Sequence, residues 1–119
     1  MASENTGFRR IILAAKYSWQ GLTTCYRKEA AFRQEMWLAI VLAPVALWQG
    51  DNNLERALLL GSLFMILIVE LLNTGIENTV DRFGGEQHKL SGRAKDMGSA
   101  AVMLTILMTT ILWLLLLLD

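Results

Sequence analysis

Hydrophobic and polar positions follow two different rhythms along this chain. Near the N-terminus Phe8, Ile11, Ile12, Ala15, Trp19 and Leu22 recur every three or four residues and fall within an arc of about 100° on a helix. Arg9, Arg10, Lys16, Tyr17 and Gln20 lie outside that arc. The pattern predicts an amphipathic helix over 5–27, lying in a membrane interface with its basic residues toward anionic headgroups. Beyond it the periodicity gives way to long apolar runs.

Met36 to Trp48 is apolar but too short to cross a hydrocarbon core of roughly 30 Å. Extending it back gives a span over 30–49, with Arg33, Gln34 and Glu35 near the interface, where Arg33 can snorkel. Pro44 is expected to kink this helix. A turn, Gly50-Asp51-Asn52-Asn53, separates it from a second helix over 54–82, and Asn52 with Glu55 reads as a capping box. Gly84-Gly85 reads as a helix stop, and Ser91 as the N-cap of a third span over 91–118. From Met97 to Leu118 that last run holds no charge. The expected fold is an all-α membrane protein: one interfacial helix and three transmembrane helices, a single domain over 1–119.

Charge sets the orientation. Arg9, Arg10, Lys16, Arg27, Lys28 and Arg33 precede or open the first span, and Arg82, Lys89, Arg93 and Lys95 lie between the second and third. The other connection has only Arg56, and nothing basic follows the third span. Ten against one places the N-terminus and the second connection in the cytoplasm. Eleven basic and eleven acidic residues cancel, so no net charge draws the chain to nucleic acid. No signal peptide is visible, and the lone Cys25 reads as a small helix residue without a disulfide or metal partner.

One feature of the second span goes against its apolar character. Glu70 lies near the inner end of the run from Ala57 to Leu72, and Asn73, Glu77 and Asp81 follow on the same face, a stripe about 80° wide. A carboxylate at that depth costs roughly 2.5–3.5 kcal/mol on insertion scales, so it is normally covered by protein and functional. With the inner boundary near Glu77, Glu70 lies roughly 10 Å deeper, at the level of a lipid's glycerol. Lys95 and Ser99 share a face of the third helix beside Asp96, and Ala94 with Gly98 permits a close neighbour.

Carboxylates with Lys and Arg at an interface suit phosphoryl transfer, which needs charge neutralisation, in-line positioning and a base for the acceptor. No P-loop or kinase Gly-rich loop is present, so a nucleotide site must be built another way. Residue chemistry alone leaves a small membrane enzyme and a proton-coupled transporter using Glu70 both open. The outer half of the second span, with Ser62 as its polar residue, favours the enzyme. On the residues alone, Glu29 and Glu35 could simply balance Arg27, Lys28 and Arg33.

The segments Tyr17-Ser18-Trp19-Gln20-Gly21-Leu22, Glu29 to Glu35, Val69 to Glu77, Val80-Asp81-Arg82 and Leu90 to Val102 resemble the small prokaryotic integral-membrane diacylglycerol kinases. The resemblance runs through nearly the whole chain in order. It implies a homotrimer with sites shared between chains, in the bacterial inner membrane, phosphorylating diacylglycerol with Mg²⁺ and ATP to give phosphatidic acid. Glu70 would be the catalytic base, and Glu29 and Glu77 the metal ligands. Arg10, Tyr17, Glu29, Asn73, Glu77, Asp81, Lys95 and Asp96 would bind ATP, with Glu86, Gln87 and His88 by the adenine. Trp19, Phe32, Glu70 and Ser99 would border the lipid. An undecaprenol kinase of the same superfamily is the nearest rival.

Overall fold

The computed structural model describes residues 6–84 and 88–118. Four helices run through them in order: α1 (Gly7–Lys28), α2 (Ala30–Gln49), α3 (Asn53–Arg82) and α4 (Lys89–Leu117). The last three are long and apolar enough to cross a membrane, so this is an all-α membrane protein. At 1.5 Å per residue α3, with 30 residues, is about 45 Å long and outruns a hydrocarbon core by about ten residues. With the inner boundary near Glu77, the turn beyond it, which carries Asp81, extends past the core, while Asn73 stays below the boundary.

The helix ends have local causes. Asn52 Oδ1 accepts from the Glu55 N–H at 2.9 Å, and the Glu55 carboxylate accepts from the Asp51 N–H at 3.0 Å, closing α3 at its start. Gly84 takes φ +95°, a left-handed conformation that ends α3 at little steric cost. At α4 the cap is not Ser91. His88 Nδ1 accepts from the Leu90 N–H at 3.1 Å, and Ser91 already lies in the first turn. An imidazole is an uncommon cap, whereas serine is among the preferred ones, which is why residue preference alone points to Ser91. Pro44 lies inside α2, which continues through it.

One residue, Glu29, separates α1 from α2, and its backbone is extended (φ −114°, ψ 111°). The break is fastened from the far side. Arg33 Nη1 donates to the carbonyls of Tyr26 (2.9 Å) and Arg27 (2.8 Å), which α1 leaves without intrahelical partners at its end. Trp37 Nε1 adds a bond to the Tyr26 hydroxyl at 2.8 Å. Arg33 is thus a bolt between two helices rather than a snorkelling side chain.

Within the bundle α3 is the central helix, packed mainly on α4 and on its other side against α2. Leu59, Leu63 and Ile66 of α3 are buried, as are Phe32 and Ala46 of α2. Ser62 in this apolar zone is satisfied: its Oγ donates to the Leu59 carbonyl (2.7 Å) and accepts from Trp113 Nε1 (3.0 Å), tying α3 to α4. The outward faces carry Leu104, Leu107, Ile111 and Leu115, exposed as a lipid-facing surface requires. On α1, Phe8, Ile11, Ile12 and Trp19 are exposed as well.

Candidate functional site

The stripe on α3 keeps its order in three dimensions. Glu70 is buried at 7% exposure, Asn73 and Glu77 are half-buried, and Asp81 is exposed. Burial therefore falls away steadily over three turns, from the apolar interior outward. Two of these groups carry unpaired acceptors: Glu70 Oε2 and Asn73 Oδ1 are sealed from solvent and accept no hydrogen bond from the described residues. An orphaned buried acceptor costs about 1–3 kcal/mol, more when charged, and such atoms mark places where function outweighs stability. Glu70 also lies within electrostatic reach of Glu77 and Glu29.

Glu35 joins this group. One of its carboxylate oxygens, Oε1, is likewise sealed and without a partner among the described residues, and the side chain feels the charge of Glu70. The sequence offered it as a counter-charge to Arg27, Lys28 and Arg33, but Arg33 bonds to helix carbonyls instead. A Glu immediately before the apolar run looks like an interface charge, so nothing local could have flagged it.

At the outer end, Lys95 Nζ reaches Asp81 Oδ1 at 3.0 Å, joining α4 to the stripe. Deeper, Gly98 faces Asn73: a Cβ at Gly98 would collide with the Asn73 carboxamide. Asp96 and Ser99 are exposed beside this contact.

A cleft of about 630 Å³ opens between α1 and the projecting part of α3. Lys28, Glu29 and Asp81 contribute its charges, with Gln20, Thr24, Thr74 and Asn78 around them. Of the residues nominated from sequence, this cleft gathers Glu29 and Asp81. Arg10 and Tyr17 do not line it, being 19 and 12 residues upstream of Glu29 on α1. Lys28, Gln20, Thr24 and Asn78 were missed. Lys28 was counted as a topology charge, and the polar residues have no motif that distinguishes them from an ordinary helix surface. Cys25 closes the floor, its Sγ 3.8 Å from Thr74 Oγ1. Burial pushes its thiol above the ordinary value, which keeps it neutral.

Glu86 and Gln87 lie outside the described residues. His88 is described, and its ring caps α4. Phe32, expected at the lipid border, has no exposed surface in this chain, so it does not face lipid here, while Trp19 is 68% exposed.

Among the described residues no three His, Cys, Asp or Glu side chains form a ready cage for a metal ion. That does not exclude Mg²⁺, which usually keeps its waters and needs one or two carboxylates plus substrate phosphates. Glu29 and Glu77 offer hard oxygen donors of that kind near Glu70's unpartnered oxygen, so the residues fit.

A buried carboxylate linked by a polar stripe to a charged cleft at the membrane surface defines a class: small helical membrane proteins whose chemistry joins a lipid-soluble group to a water-soluble one. Comparison with known proteins makes this specific. The family model for prokaryotic diacylglycerol kinase matches residues 16–117. Among curated proteins, the diacylglycerol kinase of Escherichia coli (strain K12) is 50% identical over 98% of this chain and 96% of its own length. Those of Pseudomonas aeruginosa and Haemophilus influenzae are 48% and 42% identical, covering 91% and 92% of this chain and 88% and 93% of their own. The chain belongs to the prokaryotic diacylglycerol kinase family.

Proposed function

We propose that this protein transfers the γ-phosphoryl group of ATP to the free hydroxyl of diacylglycerol, giving phosphatidic acid and ADP. The observation that carries the reading is Glu70: a buried carboxylate with an unpartnered oxygen, at the apolar end of a stripe that leads to the Asp81–Lys95 pair. Kinship with proteins named diacylglycerol kinase supplies the acceptor. Glu70 takes the proton of the lipid hydroxyl as its oxygen bonds to the γ-phosphorus, and the bond to the β-phosphate oxygen breaks. Asn73, Asp81, Lys95 and Asp96 position the phosphates, with Lys28 added from the cleft. Glu29 and Glu77 hold the Mg²⁺, which would neutralise phosphate charge when bound. Glu86, Gln87 and His88 complete the adenine end. Trp19 and Ser99 border the lipid.

The site works at the cytoplasmic face of the bacterial inner membrane, as the Lys and Arg distribution favours. α1 lies along that interface. The chain acts as a homotrimer with shared sites, as the family resemblance implies, and Arg10 and Tyr17, which do not line the cleft of their own chain, would serve a neighbour's site. A proton-coupled transporter is not favoured. In the apolar stretches beyond Glu70 the polar side chains, Ser62 of α3 and Thr105, Thr109, Thr110 and Trp113 of α4, bond to protein and none is acidic.

The test is phosphate transfer from Mg²⁺-ATP by purified protein in lipid, with diacylglycerol and undecaprenol as separate acceptors. Phosphatidic acid should form, and preference for the polyprenol would overturn the acceptor assignment. Sharing is tested by subunit exchange between Tyr17→Ala and Lys95→Met protein. Activity should return in mixed trimers, and its absence would count against sharing.

A further inference from the structure

Gly98 lies buried on α4, one turn beyond Lys95, directly against the Asn73 side chain of α3. A Cβ added there would collide with Asn73 Oδ1 and stand 3.2 Å from Cγ and 3.8 Å from Cβ. The carboxamide thus occupies the space a side chain at position 98 would need. Its oxygen is sealed from solvent and has no hydrogen-bond partner among the described residues, so no bond to that oxygen fixes the orientation. What holds it is shape: the wall of α4, with a glycine Cα–H facing the oxygen at most as a weak donor. Asn73 lies between Glu70 and Glu77 on the stripe, one turn from each.

We propose that Gly98 is a positioning residue for phosphoryl transfer: the missing side chain admits the Asn73 carboxamide and sets its angle toward the transferring group. The proposal rests on Asn73 taking part in the reaction as described above. Helix propensity argues against a simpler reason for glycine here. In a helix interior glycine is worse than alanine by about 0.5–1 kcal/mol, so a site that needed only a small residue would be better served by alanine. A methyl group at 98 must instead push the carboxamide aside or part the two helices. Displacement of about 1 Å at a reacting centre can lower a rate by roughly 10².

The experiment compares Gly98→Ala, Asn73→Ala and the double variant in lipid, with Gly92→Ala as a control. Gly92 is on the same helix, and a Cβ there meets nothing within 4 Å among the described residues. Gly98→Ala should lower kcat by about 10² with little change in the KM for lipid, while Gly92→Ala stays near the parent. The side-chain NH₂ resonance of Asn73 should move while the backbone spectrum is largely retained. The double variant should be no slower than Asn73→Ala alone, because both changes remove the same interaction.

Parent-like turnover in Gly98→Ala with a crippled Asn73→Ala overturns this proposal and leaves the reading of the site intact. So does a double variant in which the two losses multiply. Full activity in Asn73→Ala overturns both. If Gly98→Ala fails to fold, the double variant decides. Recovery of a folded, inactive protein supports the clash with Asn73, and continued misfolding means that glycine serves helix packing alone.

Discussion

Lys95 on α4 and Asp81 on α3 meet at 3.0 Å at the mouth of the site, 14 residues apart in sequence across the connection between two helices. Asp81 is 57% exposed in its side chain and Lys95 is 19% exposed, so water screens the contact from one side. A pair in that setting contributes about 0–1 kcal/mol to stability. Its value lies in holding an ammonium beside the stripe, where a polyphosphate would arrive. Lys95→Met should therefore leave thermal unfolding in detergent close to the parent and lower kcat/KM for ATP by roughly 10²–10³, as loss of one electrostatic donor does. Exchanging the charges, Lys95→Asp with Asp81→Lys, should not restore activity. Restoration would reduce the pair to a structural bridge.

Glu70→Gln keeps the size of the side chain and removes its capacity to take a proton. Turnover should drop by about 10²–10⁴, the range typical of a general base. Nucleotide binding, read by quenching of a fluorescent ATP analogue, should stay within a few-fold of the parent. Normal turnover would assign the proton to another group, and Glu35, with its own sealed oxygen, would then be the first to examine.

Glu29→Gln and Glu77→Gln test the metal reading from two helices. Each should raise the Mg²⁺ concentration needed for half-maximal rate, because a neutral amide is a poorer ligand for a hard cation than a carboxylate. Titration of activity at saturating ATP measures this. An unchanged metal dependence in both variants would place the ion elsewhere.

Lys28 has no role on sequence grounds beyond orienting the chain, yet it opens into the cleft beside Glu29 and Asp81. A charged donor to phosphate contributes about 1.5–3 kcal/mol, so Lys28→Met should raise the KM for ATP by roughly ten- to a hundredfold. The KM for lipid should not change. A parent-like KM for ATP would remove Lys28 from the nucleotide.

What the sequence made legible follows from range. The three apolar helices, the Asn52–Glu55 cap and the ordering of Glu70, Asn73, Glu77 and Asp81 depend on residues within a few turns of each other, where periodicity and capping rules apply. Contacts that depend on how helices are rotated against each other were hidden. Arg33 on the carbonyls of Tyr26 and Arg27, and Trp113 on Ser62, both need the packed bundle to exist. The Gly98–Asn73 contact was half-visible: a small residue announced close approach but not which side chain would fill the space. Glu35 went the other way, since a charge near an interface reads as solvated until its oxygen is found sealed.

His88 separates a structural role from a binding one. Its Nδ1 accepts the Leu90 N–H at 3.1 Å and starts α4, the helix that carries Lys95, Gly98 and Ser99. Loss of a side-chain cap costs about 0.5–2 kcal/mol, and asparagine is among the best replacements. His88→Ala should lower the thermal midpoint by a few degrees, and His88→Asn should return it to the parent value. The KM for ATP then distinguishes the two roles. An imidazole beside the adenine should leave the KM raised in both variants, because asparagine restores the cap without the ring. If His88→Asn recovers the KM together with the midpoint, the histidine acts through the start of α4, and its place beside the adenine is refuted.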